Sequence, residues 1–348
     1  GFTMVENWKQ TLVSSEGSIQ EALESLNLSC LQIVIVYGPD GTFLGTVTDG
    51  DIRRGMLRGL NAASPLDSIM NRHALVVPPE MTRESVLHLM RANRIKQLPV
   101  VDEQRQVVGL HVFDEVETSN ARKNLFVVMA GGKGTRMRPY TEKCPKPMLP
   151  IGDKPMLEHI LNRAIAEGFR EFAFCIHYLG EMIRDYFGSG ENWGVNIRYV
   201  EESNPLGTAG ALQLIDWPLQ EPIIVTNGDV LTEVQYGDMV EYLQLNGAQA
   251  AMAVREYILQ HPFGVVNTDG IGIVNFEEKP GFKTLVNAGI YYLAPEVLKL
   301  IPENAYMDMP DLFLQVKESG SKPIVYPMHE TWLDVGRPAD LEIAEQNS

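Results

Sequence analysis

One short segment limits what this chain can fold into. An apolar run at 125–129 leads straight into Ala130-Gly131-Gly132-Lys133-Gly134-Thr135-Arg136-Met137-Arg138-Pro139, with Pro-Lys-Pro at 145–147. Three glycines without a Cβ let backbone come close to a polyanion. Successive N–H groups in such a turn form a concave anion nest. Arg136 adds a planar fork suited to phosphate oxygens, and Lys146 adds a compact cation held between prolines. The spacing matches neither Gly-x-x-x-x-Gly-Lys-Ser/Thr nor Gly-x-Gly-x-x-Gly, so a dehydrogenase-type dinucleotide loop is excluded.

The residues after this loop alternate in texture. Strands are expected at 171–178, 196–202 and 222–226, with a helix at 154–167 and further helices between the strands. Such alternation argues for a mostly parallel sheet covered on both faces. Apolar stretches at 250–255, 264–267 and 289–293 are expected to add a mixed-sheet region. The strand at 222–226 runs out into Asn227-Gly228-Asp229, where an open α/β sheet places ligand groups.

Length and charge sharpen this reading. The chain has 348 residues, more than one typical domain needs. Its formal net charge of −16 repels nucleic acids and anionic membranes. Any phosphate must therefore be gathered by a local pocket of opposite sign. No apolar run reaches the ~18 residues that a bilayer span needs. Cys30, Cys144 and Cys175 lie far apart without Cys-x-x-Cys spacing. They read as buried structural thiols in a reduced, cytoplasmic setting. Residues 1–3 precede Met4, read as an expression scar and are set outside the fold.

The first 120 residues repeat with a period of 64. Ser18-Ile19-Gln20-Glu21 has the form of a capping box, and Thr82-Arg83-Glu84-Ser85 opens a similar helix. The apolar run at 33–36 is echoed at 98–101, and Gly45 returns as Gly109. Each unit is too small to bury a good core alone, so the two are expected to pack together. The polar stretch at 115–124 lacks apolar periodicity and reads as the connection to a second domain.

These repeats resemble a CBS-domain tandem over 4–118, with halves at about 9–63 and 66–118. Gly45-Thr46-Val47-Thr48-Asp49-Gly50-Asp51 matches the segment with which that family contacts ribose. The resemblance implies that Thr48 and Asp51 would hold an adenine nucleotide. In the second half Val112 and Glu115 depart from the pattern. Two readings stay open: the tandem senses a nucleotide, or it only dimerises the protein.

Residues 125–348, beyond a linker at 119–124, resemble the sugar-1-phosphate nucleotidyltransferase family. The motifs, in the family's order, are Gly-Gly-x-Gly-Thr-Arg, Pro-Lys-Pro, Leu-Gly-Thr-Ala-Gly, Asn-Gly-Asp and Glu-Lys-Pro. The resemblance implies a Rossmann-like α/β domain with a mostly parallel sheet. It also implies transfer of a nucleoside monophosphate from an NTP to a sugar 1-phosphate, releasing pyrophosphate. By the same resemblance Arg136, Lys146 and Asp229 are catalytic. Ala130, Gly131, Gly132, Gly134, Thr135, Gly207, Thr208 and Gly210 line the nucleotide. Gly264, Glu278, Lys279 and Asn287 bind the sugar phosphate, while Asp229 and Asp334 hold Mg²⁺. His177 stands where many relatives have Asn.

A CBS tandem ahead of such a domain resembles the guanylyltransferases of legionaminic-acid pathways, which use GTP and glucosamine 1-phosphate. Mannose, heptose or glucose types, and thymidylyl or uridylyl transfer, stay open. So does an inert nucleotide-sensing scaffold, against which the complete Arg136, Lys146, Asp229 and Asp334 set argues. A homo-oligomer is expected.

Overall fold

The computed structural model describes residues 2–113 and 121–347. The chain divides into two compact units, Gly1–Ser119 and Asn120–Ser348. No helix among the described residues is long and apolar enough to cross a membrane.

The first unit carries the repeat into three dimensions. Helices Ile19–Ser29 and Arg83–Asn93 occupy equivalent places, as do strands Ile33–Tyr37 and Gln97–Val101. Ser18 Oγ accepts from the Glu21 N–H at 3.4 Å, and Thr82 Oγ1 accepts from the Ser85 N–H at 3.3 Å. Each side chain thus satisfies a free N–H at its helix start. Ile33, Ile35 and Phe43 of the first repeat share one apolar cluster with Val101 and Leu110 of the second. Neither repeat closes its core alone. The glycines that echo one another are both tightly packed. A Cβ on Gly45 would lie 2.5 Å from the Asn71 carbonyl oxygen, and one on Gly109 would lie 2.9 Å from Met4 Sδ.

Two expectations for this unit need correction. Residues 2 and 3 belong to the fold, because Phe2–Met4 pairs antiparallel with 111–113. Backbone donors and acceptors at a sheet edge accept any extended segment that reaches them, whatever its origin. Cys30 is exposed, so burial of the thiols holds only for Cys175, with Cys144 half-buried.

The second unit is built on seven strands: β1 (Arg122–Met129), β2 (Phe169–Ile176), β3 (Asn196–Glu201), β4 (Ile223–Asn227), β5 (Ala250–Gln260), β6 (Gly281–Leu293) and β7 (Ile324–Met328). Their order across the sheet is β3-β2-β1-β4-β6-β5-β7. Strands β3, β2, β1 and β4 run parallel, and only β6 opposes the rest. Neighbouring residues in β1 take opposite faces. Phe126 and Val128 enter one core, Leu125 and Val127 the other. A strand buried on both sides reads as a continuous apolar run, which is how 125–129 reads.

Strand β1 starts earlier than expected. Arg122, Lys123 and Asn124 are not linker but the first residues of the strand. Tertiary partners recruit these polar residues. Arg122 Nε donates to the Glu167 carbonyl at 2.8 Å, and Asn124 Nδ2 donates to the Pro222 carbonyl at 2.7 Å. Strands β5 and β6 also outrun their expected limits. Beyond Arg255 they pair only with each other, as a ribbon with both faces exposed. Such a segment has no buried face to impose alternation on its sequence.

Candidate active site

Strand order dictates where the site sits. From β1 the chain moves to β2 and β3 on one side, then returns with β4 on the other. The crevice above β1 and β4 is thus the topological switch point of the sheet. Met129 and Asn227 face each other there in register. The Gly228 N–H donates to the Met129 carbonyl at 2.9 Å, fixing the two strand ends together. A cleft of about 330 Å³ opens at this point.

Ala130, Gly131 and Gly132 form one wall, and Lys146, Gly207, Thr208 and Asp229 complete much of the rest. Gly132 has no atom within 4 Å of where a Cβ would stand, so its backbone faces open space. Gly134 turns the loop with φ +60°, and a Cβ there would press on Thr141 and on Lys146 Cβ. Thr141 Oγ1 donates to the Gly134 carbonyl at 2.7 Å.

Lys146 is nearly buried and donates to Asp229 Oδ2 at 2.7 Å, across 83 positions of sequence. Asp229 begins a ribbon in which Val230–Thr232 pairs with Trp332–Asp334. The Val335 N–H donates to the Asp229 carbonyl at 2.9 Å. This ribbon brings Asp334 beside Asp229. Removal from water, then the negative charge of Asp229, push the Asp334 carboxyl above the usual range. Lys146 and Arg136 pull it back. Arg136 itself is exposed on a short turn, Thr135–Met137. Two carboxylates neighbour one another here, and a carbonyl-type oxygen lies at the end of the adjoining strand. That oxygen, Asn227 Oδ1, is buried without a hydrogen-bond partner at the cleft wall. Such a set suits a hard divalent cation.

The expected sugar-phosphate residues gather elsewhere. Gly264 and Glu278 meet at the base of a two-stranded hairpin, where a Cβ on Gly264 would lie 3.4 Å from Glu278 Oε2. Lys279 is exposed beside them with φ +44°. Asn287 Nδ2 donates to Tyr291 Oη at 2.8 Å. Gly264, Glu278, Lys279, Asn287 and Asp334 do not line the cleft. Gly134, Thr135, Arg136 and Gly210 also stand off it. Gly210 is packed instead, since a Cβ there would lie 2.9 Å from Leu206 Cβ and 3.0 Å from the Ala305 carbonyl.

Among the polar residues that line the cleft, Glu202, Tyr306 and Asp308 fall outside the site motifs read from the sequence. Glu202 is only 8% exposed and accepts from the Leu206 N–H at 3.3 Å. Burial holds its carboxyl above the usual range, against the Leu206 hydrogen bond and the His177 charge. A Cβ on Gly131 would lie 2.6 Å from Glu202 Oε2, so that glycine makes room for the acid. Asp308 Oδ1 accepts from the Thr208 N–H at 3.0 Å, and the Met309 N–H donates to Thr208 Oγ1 at 2.7 Å. Tyr306 Oη donates to Asp308 Oδ2 at 3.1 Å. Glu202 could have been found, because it directly follows the carboxyl end of β3, the same kind of placement that marks Asp229. Asp308 reaches Thr208 across 100 positions, and no local pattern announces it.

The family model described as nucleotidyl transferase matches residues 125–348. The chain belongs to that family. A CBS-domain model also matches, over residues 66–110. A UTP–glucose-1-phosphate uridylyltransferase of Synechocystis sp. is 35% identical to this nucleotidyl transferase, over 62% of this chain and 60% of the relative. A mannose-1-phosphate guanyltransferase of Yarrowia lipolytica is 33% identical, over 62% and 61%. The chain thus spans about three-fifths of the length of the curated relatives it matches. Among solved structures, HddC from Yersinia pseudotuberculosis complexed with GMP-PN shares the fold at TM-score 0.52 and 22% identity. That match covers 64% of this chain and 99% of HddC.

Proposed function

We propose that this nucleotidyl transferase moves a guanylyl group from GTP to a sugar 1-phosphate, with glucosamine 1-phosphate as the acceptor. The reading of the base rests on one observation: the buried Glu202 carboxylate beside the loop at 206–210. An ionised carboxylate is acceptor-only. Guanine presents two neighbouring donors, N1–H and the N2 amino group, that match it. Uracil and thymine offer a single N–H flanked by carbonyl oxygens, which a carboxylate repels. The choice of sugar is supported by the pairing with CBS repeats, as in the guanylyltransferases of legionaminic-acid pathways.

The reaction needs no protein nucleophile. A sugar-phosphate oxygen attacks the α-phosphorus in line, and pyrophosphate departs opposite. The protein contributes position and charge. Gly131 and Gly132 present backbone to the triphosphate. Lys146 and Arg136 offset charge that would repel an anionic attacker. Glu278 accepts sugar hydroxyls, Lys279 pairs with the sugar phosphate, and Asn287 adds an amide contact. Asp229 and Asp334 are the acids that would hold Mg²⁺, which when bound neutralises phosphate oxygens.

The test is pyrophosphate release from a panel of NTPs crossed with sugar 1-phosphates, in Mg²⁺. Release with GTP and glucosamine 1-phosphate is expected to exceed every other pair. A preference for UTP or dTTP would refute the role given to Glu202. Silence with every pair would leave the chain a nucleotide-sensing scaffold.

A further inference from the structure

Asp229 and Asp334 meet at one end of a ribbon too short to hold itself. Val230–Thr232 pairs with Trp332–Asp334 over three residues a strand. Two strands alone are marginally stable at best in water. Leu231 and Leu333 pack against a cluster that includes Met137, Leu149 and Ile151. Apolar contact of that kind is non-directional. It buries the ribbon without fixing how far Asp334 stands from Asp229.

Strand β6 supplies the missing reference. Asn287 pairs with Val254 and Tyr291 with Met252, so residues 288–290 oppose the single Ala253. Such a bulge leaves backbone groups out of the ladder, and bulges gather beside active sites. Here Trp332 Nε1 donates to the Ala288 carbonyl at 2.8 Å. Gly289, with φ +76°, sits so close to the next strand that a Cβ would lie 2.8 Å from Asn227 Nδ2 and 3.0 Å from Val230 Cγ2. Asn227 and Val230 bracket Asp229 in the chain. One bulge therefore touches the flanks of the first acid and the strand that carries the second.

Trp332 is held at its backbone, its ring face and its indole nitrogen. Arg255 Nη1 donates to the Trp332 carbonyl at 3.2 Å, and the Arg255 guanidinium lies 5.2 Å from the ring centroid. The ring packs, half-buried, against the core that contains Phe126 and Val128. Residues two apart in a strand share a face, so Trp332 and Asp334 project the same way. A phenylalanine would fill most of the same space; only the indole N–H reaches Ala288. We propose that Trp332 is a positioning residue for the transfer reaction. Through that N–H it ties the ribbon to the β6 bulge and sets the separation at which Asp229 and Asp334 hold a divalent cation. The inference rests on the reading of those two acids as the metal-holding pair.

Mn²⁺ binding to the full chain without nucleotide, counted from the free-ion electron paramagnetic resonance signal, tests this. Asp334→Asn marks the share of uptake that belongs to the pair of acids. Trp332→Phe keeps a ring on the core and under Arg255 but removes the donor. It should weaken that share of Mn²⁺ binding about 10-fold or more, as loss of a supporting contact around a metal does. The Mg²⁺ concentration for half-maximal pyrophosphate release should rise in step. Arg255→Lys, which keeps the charge and loses the planar fork, serves if Trp332→Phe misfolds by circular dichroism, and should act in the same direction. A role in stability alone would lower Tm and leave Mn²⁺ binding unchanged in the folded variants, which would overturn the proposal. Equal uptake by the unaltered chain and Asp334→Asn would instead remove the reading of the acids, and this inference with it.

Discussion

Lys146 and Asp229 show how little of a site one residue carries by itself. Their hydrogen-bonded pair sits at the cleft, where in the proposed function one cation would face both an acid and a polyphosphate. Lys146→Ala removes charge offset from the reacting phosphates, and kcat should fall on the order of 10²–10³-fold. Single-turnover kinetics at saturating GTP would show whether the loss lies in the chemical step. In the function proposed above, base choice turns on Glu202. Losing a hydrogen bond to a charged group costs ~1.5–3 kcal/mol. Glu202→Gln should therefore raise KM for GTP roughly 10–100-fold and relax discrimination against UTP. Its raised pKa has a direction that can be checked. On the proposed reading the ionised form accepts from guanine, so kcat/KM for GTP should fall with acidification at a pH above the ordinary carboxylate range. That limb should vanish from the pH profile of Glu202→Gln. Gly131→Ala offers a third probe. The added Cβ meets the far end of the Glu202 side chain rather than backbone. Thermal unfolding should barely change, while KM for GTP rises as it does for Glu202→Gln.

At the scale of elements, the loop at 206–210 is rigid because a distant segment holds it. The Ala209 and Gly210 N–H groups both donate to the Met307 carbonyl, and the Met307 N–H donates to the Leu206 carbonyl. The Thr208 N–H donates to Asp308 Oδ1 and the Met309 N–H to Thr208 Oγ1, two further bonds on top. Asp308→Ala leaves the Thr208 N–H half-buried without its acceptor, a cost of ~1–3 kcal/mol. Hydrogen exchange at Thr208 should accelerate and KM for GTP should rise, with the amides of β1 unaffected. The long ribbon of β5 and β6 shows the opposite condition. Its outer part is held by cross-strand pairing, a Lys283–Glu256 ion pair and the Thr284 hydroxyl donating to the Tyr257 carbonyl, and its apolar side chains stand exposed.

For the whole molecule, the contrast is between an acidic body and a few gathered cations. The first unit carries Thr48 and Asp51, which we propose as a second nucleotide-binding pair. Thr48 and Asp51 cap the helix Asp49–Leu57 reciprocally, with Thr48 N–H to Asp51 Oδ2 at 2.9 Å, and Arg54 holds Asp51 Oδ1 at 2.6 Å. A ribose would have to share or replace these contacts. Val112 lies in the strand Val107–Phe113 opposite Gln97, and Glu115 falls outside the described residues. We expect heat on titrating ATP or AMP into the full chain, lost in Thr48→Val. A flat calorimetric trace with both nucleotides would leave the tandem without a sensing role.

Some of this is written into the chain locally. Backbone conformation depends on the nearest residues, so the 64-residue repeat, the capped helices and the strand running into Gly131 and Gly132 can be read directly. Buried strands announce themselves by composition, as at 125–129. The pairing of Lys146 with Asp229, the approach of Asp334, and the brace from Asp308 to Thr208 cannot be read that way. Each joins residues about 80 to 105 positions apart. Only the strand order, with its switch between β1 and β4, decides that they meet. Burial is likewise a tertiary property: Glu202 is one acid among forty-five Asp and Glu residues in the sequence, and the fold alone seals it into the cleft.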